Sequence, residues 1–177
     1  MSYEIVKKID LSAPINKVWQ VYRDHLPQIA ESMPGVEKIT VKSRVEENKL
    51  IILENNCEIS GGLPISIRKI VPKNLLFYKD KAYWNEETMV CSFENEPADG
   101  SEIYKCIGKN IFSKTELGTA LTVEVSLKIN PDKLKFIPTI LSKTILYKIE
   151  KIITRELVRN LEKTAHLVVK YIEKNEL

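Results

Sequence analysis

The side chains able to do chemistry are few and scattered along this sequence. The histidines are His25 and His166, and the cysteines are Cys57, Cys91 and Cys106. Covalent acyl transfer needs a nucleophile held by a base and an orienting group, but the chain has no G-x-S-x-G and neither histidine lies in such a constellation. The cysteines are widely spaced without a C-x-x-C, so we expect neither a zinc site nor a disulfide. The pattern favours reduced, mostly buried thiols.

Composition limits the classes of protein to which the chain can belong. Its 177 residues, 44% of them hydrophobic, suffice for one core, so we expect a single domain over residues 1–177. The 27 basic and 24 acidic side chains leave a charge of only +3, which argues against binding of nucleic acid. The N-terminus alternates in polarity and does not resemble a secretory signal, and no apolar run reaches the roughly 18 residues of a membrane span. We therefore expect a cytoplasmic protein.

A strand pattern with a period of two opens the chain and dominates from residue 36 to residue 129. The alternation begins at Tyr3, Ile5, Lys7 and Ile9. Turn signals divide the long stretch into about six strands, and they lie at residues 46–48, 61–62, 72–74, 85–86, 97–100 and 116–118. The last strand, residues 119–129, has the clearest alternation and predicts one dry face and one wet face.

Helical signals flank this stretch on both sides. Ser12-Ala13-Pro14 predicts a helix start with Ser12 or Ala13 at the cap, and a second short helix is expected to end at Met33. After Asn130-Pro131 the period becomes 3.6, which predicts a helix of about nine turns. Its apolar stripe comprises Leu146, Ile149, Ile153, Leu157, Leu161, Val168 and Ile172, and its opposite face carries Lys148, Lys151, Arg155, Arg159, Lys163 and Lys170.

The order of these elements predicts an α+β fold of the helix-grip type. About seven antiparallel strands form a curved sheet around the long C-terminal helix, and two short helices follow the first strand. A curved sheet and a straight helix diverge toward one end, which leaves an apolar pocket unless large side chains fill it.

The chain resembles the START-like, birch-pollen-allergen-like superfamily, which also contains polyketide cyclases and coenzyme Q-binding proteins. The resemblance covers nearly the whole chain and rests on residues 9–24 (IDLSAPINKVWQVYRD), on Met33-Pro34-Gly35-Val36, on Gly118-Thr119 and on the closing helix. The segment around Pro34 is also similar to the membrane-associated branch that is linked to carbon monoxide dehydrogenase. The resemblance implies binding of an apolar molecule such as a lipid, an isoprenoid quinone or a polyketide, often without chemistry.

The candidate ligand-binding residues come from strands and from the start of the long helix. Met89 and Phe93 are expected to share one strand face with Cys91, and Tyr104 to share another with Cys106 and Gly108. Trp84 and Tyr83 lie beside a turn and are candidates for a pocket rim. Leu141 and Ile145, which project toward the side of the helix that later becomes basic, are candidates for the mouth. We expect no cofactor and no metal.

Two further classes of function stay open. A cyclase or dehydrase could act with a shaped cavity and one or two polar groups, for which the candidates are Glu54, Arg68, Glu94 and Tyr104. Alternatively, the apolar stretch over residues 137–145 could dock on a protein or on a membrane surface, and it would also permit a homodimer.

Overall fold

In a computed structural model, one antiparallel sheet carries helices on one of its faces. The structure describes residues 2–33, 35–59, 76–133 and 142–176, without the side chains of residues 2, 3, 131 and 142–156. The strands are β1 (Ser2–Leu11), β2 (Lys38–Glu47), β3 (Leu50–Glu58), β4 (Phe77–Asn85), β5 (Val90–Pro97), β6 (Tyr104–Thr115) and β7 (Gly118–Ile129). The helices are α1 (Ile15–Asp24), α2 (Leu26–Ile29) and the C-terminal helix (Ser142–Lys174), with single 3₁₀ turns at Ala30–Ser32 and Pro131–Lys133.

The sheet is a meander that its first strand closes. The strand order is β1-β7-β6-β5-β4-β3-β2, and every neighbouring pair is antiparallel. This arrangement confirms the predicted α+β helix-grip fold of about seven strands. The C-terminal helix has 33 residues, which matches the predicted nine turns at 3.6 residues each.

One face of the sheet, the inner face, packs against the helices and the other faces solvent. On β7, Thr119, Leu121 and Val123 of the inner face are buried, which confirms the predicted dry face. The outer face carries ion pairs between neighbouring strands, such as Glu54 with Lys81 at 3.1 Å.

The start of α1 lies one or two residues later than the sequence predicted. Pro14 is the cap residue in an extended conformation, and its carbonyl oxygen accepts hydrogen bonds from the N–H groups of Lys17 and Val18, both at 3.0 Å. The expected caps, Ser12 and Ala13, are therefore wrong. The reason is tertiary, since the buried hydroxyl of Thr119 donates to the carbonyl oxygen of Ala13 at 2.7 Å and holds that residue against β7.

Aromatic rings fill the space between α1 and the sheet. Trp19 of α1 makes edge-to-face contacts with Trp84 at 4.9 Å and with Phe112 at 5.2 Å between ring centroids. Tyr22 contacts Phe112 in the same way at 5.6 Å. Edge-to-face pairs stabilise one packing arrangement in addition to the stabilisation that comes from burying apolar surface. The rings therefore fix the position of α1 on the sheet.

The second half of the C-terminal helix completes this core. Ala165, Val168 and Ile172 are buried, whereas Lys163 and Lys170 are exposed, which confirms the predicted apolar stripe and basic face in this half. The side chains of Ile145, Leu146, Lys148, Ile149, Lys151, Ile152, Ile153 and Arg155 lie outside the described residues. Among the helices that the structure describes, none is long and apolar enough to cross a membrane.

Candidate functional site

The inner face of the sheet divides into two regions. We call the first the closed half; its side chains are all buried, and they are Ile51, Leu53, Ala82, Trp84, Cys91, Phe112, Leu121 and Val123. We call the second the open half; its side chains point to the same face but stay partly exposed, and they are Asn55, Tyr78, Asp80, Phe93, Asn95 and Tyr104. Inward-pointing side chains that solvent still reaches show that, among the described residues, this half of the face is less completely covered than the closed half.

Strand register brings one carboxyl and two amides together in the open half. Asp80 of β4 pairs with Asn55 of β3 on one side and with Asn95 of β5 on the other. The amide nitrogen of Asn55 donates to Asp80 Oδ2 at 2.8 Å. With its amide nitrogen facing the carboxylate, Asn95 donates to Asp80 Oδ1 at 2.7 Å and to the carbonyl oxygen of Glu94 at 3.0 Å. The opposite orientation would place amide oxygen against carboxylate oxygen.

The environment of Asp80 opposes its ionisation. Burial raises the pKa of Asp80 from 3.8 to about 6, and the hydrogen bond from Asn55 works in the opposite direction. Removal from water disfavours the charged form, while donated hydrogen bonds favour it. The side chain therefore changes charge within reach of physiological pH, which is typical of groups at functional sites.

Phenols and thiols surround this carboxyl. Burial raises the pKa of Cys57 to about 12 and that of Cys106 to about 11, and it raises the pKa values of Tyr78 and Tyr104 as well. All three cysteines are buried, as predicted for the thiols. Since the thiolate is the reactive form, these cysteines are apolar wall groups and poor nucleophiles.

Phe93 lies across a glycine of the next strand. Gly108 pairs with Phe93, and a Cβ atom at this position would approach the Cζ atom of the ring to 2.5 Å and would collide with the backbone carbonyl of Glu124. Glycine is thus required where β6 passes close to both neighbours. The ring of Phe93 is held on the floor of the open half.

Some buried polar atoms on the inner face lack partners. Within the described residues these include the side-chain oxygens of Asn55 and Asn110 and the indole nitrogen of Trp84. An unsatisfied buried polar group costs roughly 1–3 kcal/mol. Asn55 lies in the open half, so a bound molecule with a donor group would remove its share of this cost.

The sequence-predicted ligand-binding residues fall in different places. Phe93 and Tyr104 lie in the open half. Trp84 is not on a rim, because it points inward between α1 and the sheet and is only 3% exposed. Met89 does not share a strand face with Phe93; it lies in the β4–β5 turn with a φ of 54°, although its side chain packs against the core. Leu141 and the side chain of Ile145 lie outside the described residues.

The polar candidates for catalysis divide in the same way. Glu54 and Glu94 lie on the outer face, where they pair with Lys81 at 3.1 Å and with Lys105 at 2.7 Å. They cannot reach a molecule held on the inner face. Tyr104 does point inward, and Arg68 lies outside the described residues.

The site residues predicted from the sequence did not include Asn55, Asp80 and Asn95. A signal was present, because Asp80 alternates in phase with Ala82 and Trp84, and Asn55 in phase with Leu53 and Cys57. A polar residue on the apolar phase of a strand marks a buried polar group or a site. The register that unites the three residues is not visible in the sequence.

A depression elsewhere on the surface does not compete with this site. It has a volume of about 500 Å³ and lies at the end of β1 and the β6–β7 turn, lined by Asp10, Leu11, Ser12, Thr115, Glu116 and Leu117. Leu117 is 89% exposed there. The depression is shallow and lacks a buried polar group, so it has the character of ordinary surface.

Comparison with known proteins identifies solved structures that share this fold. No protein-family model matches the sequence, and no curated protein matches it. Solved structures do match. Zhui aromatase/cyclase from Streptomyces sp. R1128 is 12% identical with a TM-score of 0.62, and the match covers all of this chain and 97% of that one. Norcoclaurine synthase from Thalictrum flavum is 14% identical with a TM-score of 0.53, over 97% and 87% of the two chains.

A two-domain protein gives a similar result. The di-domain ARO/CYC StfQ of the steffimycin biosynthetic pathway is 11% identical with a TM-score of 0.69, and the match covers 99% of this chain and 52% of StfQ. This chain therefore corresponds to about half of that protein. The matches confirm the fold that the resemblance implied, the START-like, birch-pollen-allergen-like helix-grip fold.

Proposed function

We propose that this helix-grip protein binds an apolar small molecule between the open half of its sheet and the C-terminal helix. The observation that carries the proposal is the contrast on one continuous face. Ala82 and Trp84 of β4 are fully packed, whereas Tyr78 and Asp80 of the same strand point the same way and stay partly exposed. Space lined by rings, thiols and a few convergent polar groups is the usual composition of a ligand pocket.

The matched structures support the same class of function. Zhui is an aromatase/cyclase and the Thalictrum protein is a norcoclaurine synthase, so proteins of this fold include enzymes that act on small organic molecules. Sequence identities of 12% and 14% are too low to assign the substrates of these enzymes to this chain. The proposal therefore names a class of ligand, an apolar molecule of the lipid, quinone or polyketide kind, and no single compound.

The first test is native mass spectrometry of the purified protein, followed by organic extraction and identification of what is released. We expect a fraction of the protein to carry one apolar molecule per chain. A uniform ligand-free mass, together with no binding of the neutral dye Nile red, would overturn the proposal.

A matched pair of tyrosine variants locates the binding. Tyr104 lies in the open half, and Tyr83 lies on the outer face of β4. Tyr104→Ala removes a ring that a ligand would contact, so we expect Nile red affinity to fall about fivefold. Tyr83→Ala is the control and should bind the dye like the unchanged protein. Equal effects of the two variants would place the binding outside the open half.

The second candidate function is catalysis by proton transfer, and Asp80 favours it. A carboxyl with a pKa of about 6, fixed by two amides, is suited to take or give a proton near neutral pH. A cyclase or dehydrase needs such a group beside an apolar substrate. The three thiols and two phenols near it are held protonated by burial, so Asp80 would be the base.

Hydrogen–deuterium exchange at the α-carbon of 2-tetralone in D₂O, followed by NMR, tests this candidate. A catalytic Asp80 predicts exchange above the buffer rate that falls at least about 100-fold in Asp80→Asn. Exchange at the buffer rate in a protein that binds Nile red would leave binding as the function.

A docking role or homodimer through residues 137–145 stays a prediction, because that segment is not fully described.

A further inference from the structure

The hydrogen bonds around Asp80 use amide donors and leave oxygen acceptors of the cluster without donors. Both amides turn their nitrogen atoms toward the carboxylate, at 2.8 Å from Asn55 and 2.7 Å from Asn95. The oxygen of Asn55 is buried and has no partner within the described residues. Each carboxylate oxygen accepts one of these bonds and has a further lone pair. The cluster therefore offers three acceptor oxygens close together.

The charge of the cluster is also uncompensated among the described residues. No described cationic side chain forms an ion pair with Asp80, and the groups that act on its ionisation there are desolvation and the amide of Asn55. A buried carboxylate without a cation is expensive. The lysines that are paired on the sheet, such as Lys81 and Lys105, lie on the outer face.

We propose that the Asp80 cluster binds the protonated amino group of an otherwise apolar molecule. This inference rests on the proposed function and names the polar end of the ligand. An ammonium group has three donors and no acceptor, which complements the two oxygens of Asp80 and the oxygen of Asn55. Tyr78 and Phe93 lie on the same face as Asp80, and aromatic rings attract cations and supply area to an apolar body. A neutral hydroxyl would supply one donor and no charge.

A pair of isosteric probes tests the inference by calorimetry. The probes are 2-(1-naphthyl)ethylamine and 2-(1-naphthyl)ethanol, which share their apolar body. We expect the amine to bind at least about tenfold more tightly than the alcohol at pH 7.5, as a charge-assisted hydrogen bond implies. Asp80→Asn should remove this preference, so that the amine and the alcohol bind within about threefold of each other. Glu54→Gln, which removes a carboxylate from the outer face, is the matched control and should keep the preference.

Lowering the pH gives a second measurement on the unchanged protein. At pH 5 most of Asp80 would be protonated, so the affinity for the amine should fall about tenfold while that for the alcohol stays constant. The described titratable groups that face Asp80 are Cys57 from β3, Tyr78 from β4, Cys91 from β5, and Tyr104 and Cys106 from β6. Burial raises the pKa of each, so none of them changes charge between pH 5 and 7.5.

The outcomes separate the inference from the function on which it rests. Equal binding of amine and alcohol, or a preference that survives in Asp80→Asn, would overturn the amine site and leave apolar binding intact. Failure of both probes to bind would count against the proposed function itself. Circular dichroism and the thermal midpoint of Asp80→Asn establish that the variant is folded before its affinities are compared.

Discussion

The closed and open halves of the inner face lie on the same strands but differ in the kind of side chain they carry. Along β4, Trp84 and Ala82 pack against α1 and the neighbouring strands, while Asp80 and Tyr78 stay partly exposed. Close packing stabilises the fold, whereas a carboxyl largely removed from water and an amide oxygen without a partner destabilise it. The difference indicates that stability is concentrated at one end of the sheet, and it is the difference we expect if the other end is the proposed binding site.

The largest expected effect comes from truncating the centre of the closed half. Trp84→Ala removes a ring that contacts Trp19 at 4.9 Å and leaves a cavity. We expect the free energy of unfolding to fall by about 3–5 kcal/mol in urea denaturation followed by circular dichroism. Tyr83→Ala, on the outer face of the same strand, should cost about 1 kcal/mol or less. A loss below about 1 kcal/mol for Trp84→Ala would show that the two halves do not differ in packing.

The next effect comes from the open half and has the opposite sign. Asp80 has a pKa of about 6 in the folded protein against 3.8 ordinarily, so the folded state binds its proton more tightly. The contribution of Asp80 to the free energy of unfolding is therefore complete below pH 4 and is lost as the pH rises through 6. Relative to the unchanged protein, Asp80→Asn should gain on the order of 2 kcal/mol between pH 4 and pH 7.

Denaturation curves at several pH values measure this gain, and the change with pH is the readout. A constant offset between Asp80→Asn and the unchanged protein would mean that Asp80 has an ordinary pKa. In that case the open half would not be the destabilised region.

A smaller effect is expected where α1 is fixed to β7. The hydroxyl of Thr119 donates to the carbonyl oxygen of Ala13 at 2.7 Å in a fully buried position. Thr119→Val keeps the shape but leaves that carbonyl without its donor, so we expect a loss of about 1–2 kcal/mol in thermal or urea unfolding. Thr122→Val, on the outer face of β7, is the control and should change stability by about 0.5 kcal/mol or less. Similar losses in both variants would contradict a specific role for this hydrogen bond.

The smallest effect is expected on the outer face. Glu54 forms a solvent-exposed ion pair with Lys81 on the outer face. Glu54→Gln should therefore leave both the unfolding midpoint and Nile red binding unchanged within error. A clear loss of dye binding would mean that the outer face takes part in the site, which would remove the distinction between the two faces.

Much of the fold could be predicted from the sequence because its signals are local and repeated. The alternation in β7 and the 3.6-residue period of the C-terminal helix specify their elements without knowledge of distant partners. The site could not be predicted in the same way. Asn55, Asp80 and Asn95 lie 25 and 15 residues apart along the chain, and only strand register places them side by side. Met89 was misplaced for a local reason, since a positive φ ends the strand phase on which its assignment depended.

The pairing of β1 with β7 has a consequence for how the chain folds as it is made. Strands β2 to β7 each pair with their neighbour in sequence, but Ile9 must wait for Leu121. At synthesis rates of about 5–20 residues per second, the first strand spends on the order of ten seconds without its partner. During that time the apolar residues of β1 and α1 are available to chaperones or to wrong contacts. Closure of the sheet by its first strand is therefore expected to be the slow, non-local step of folding.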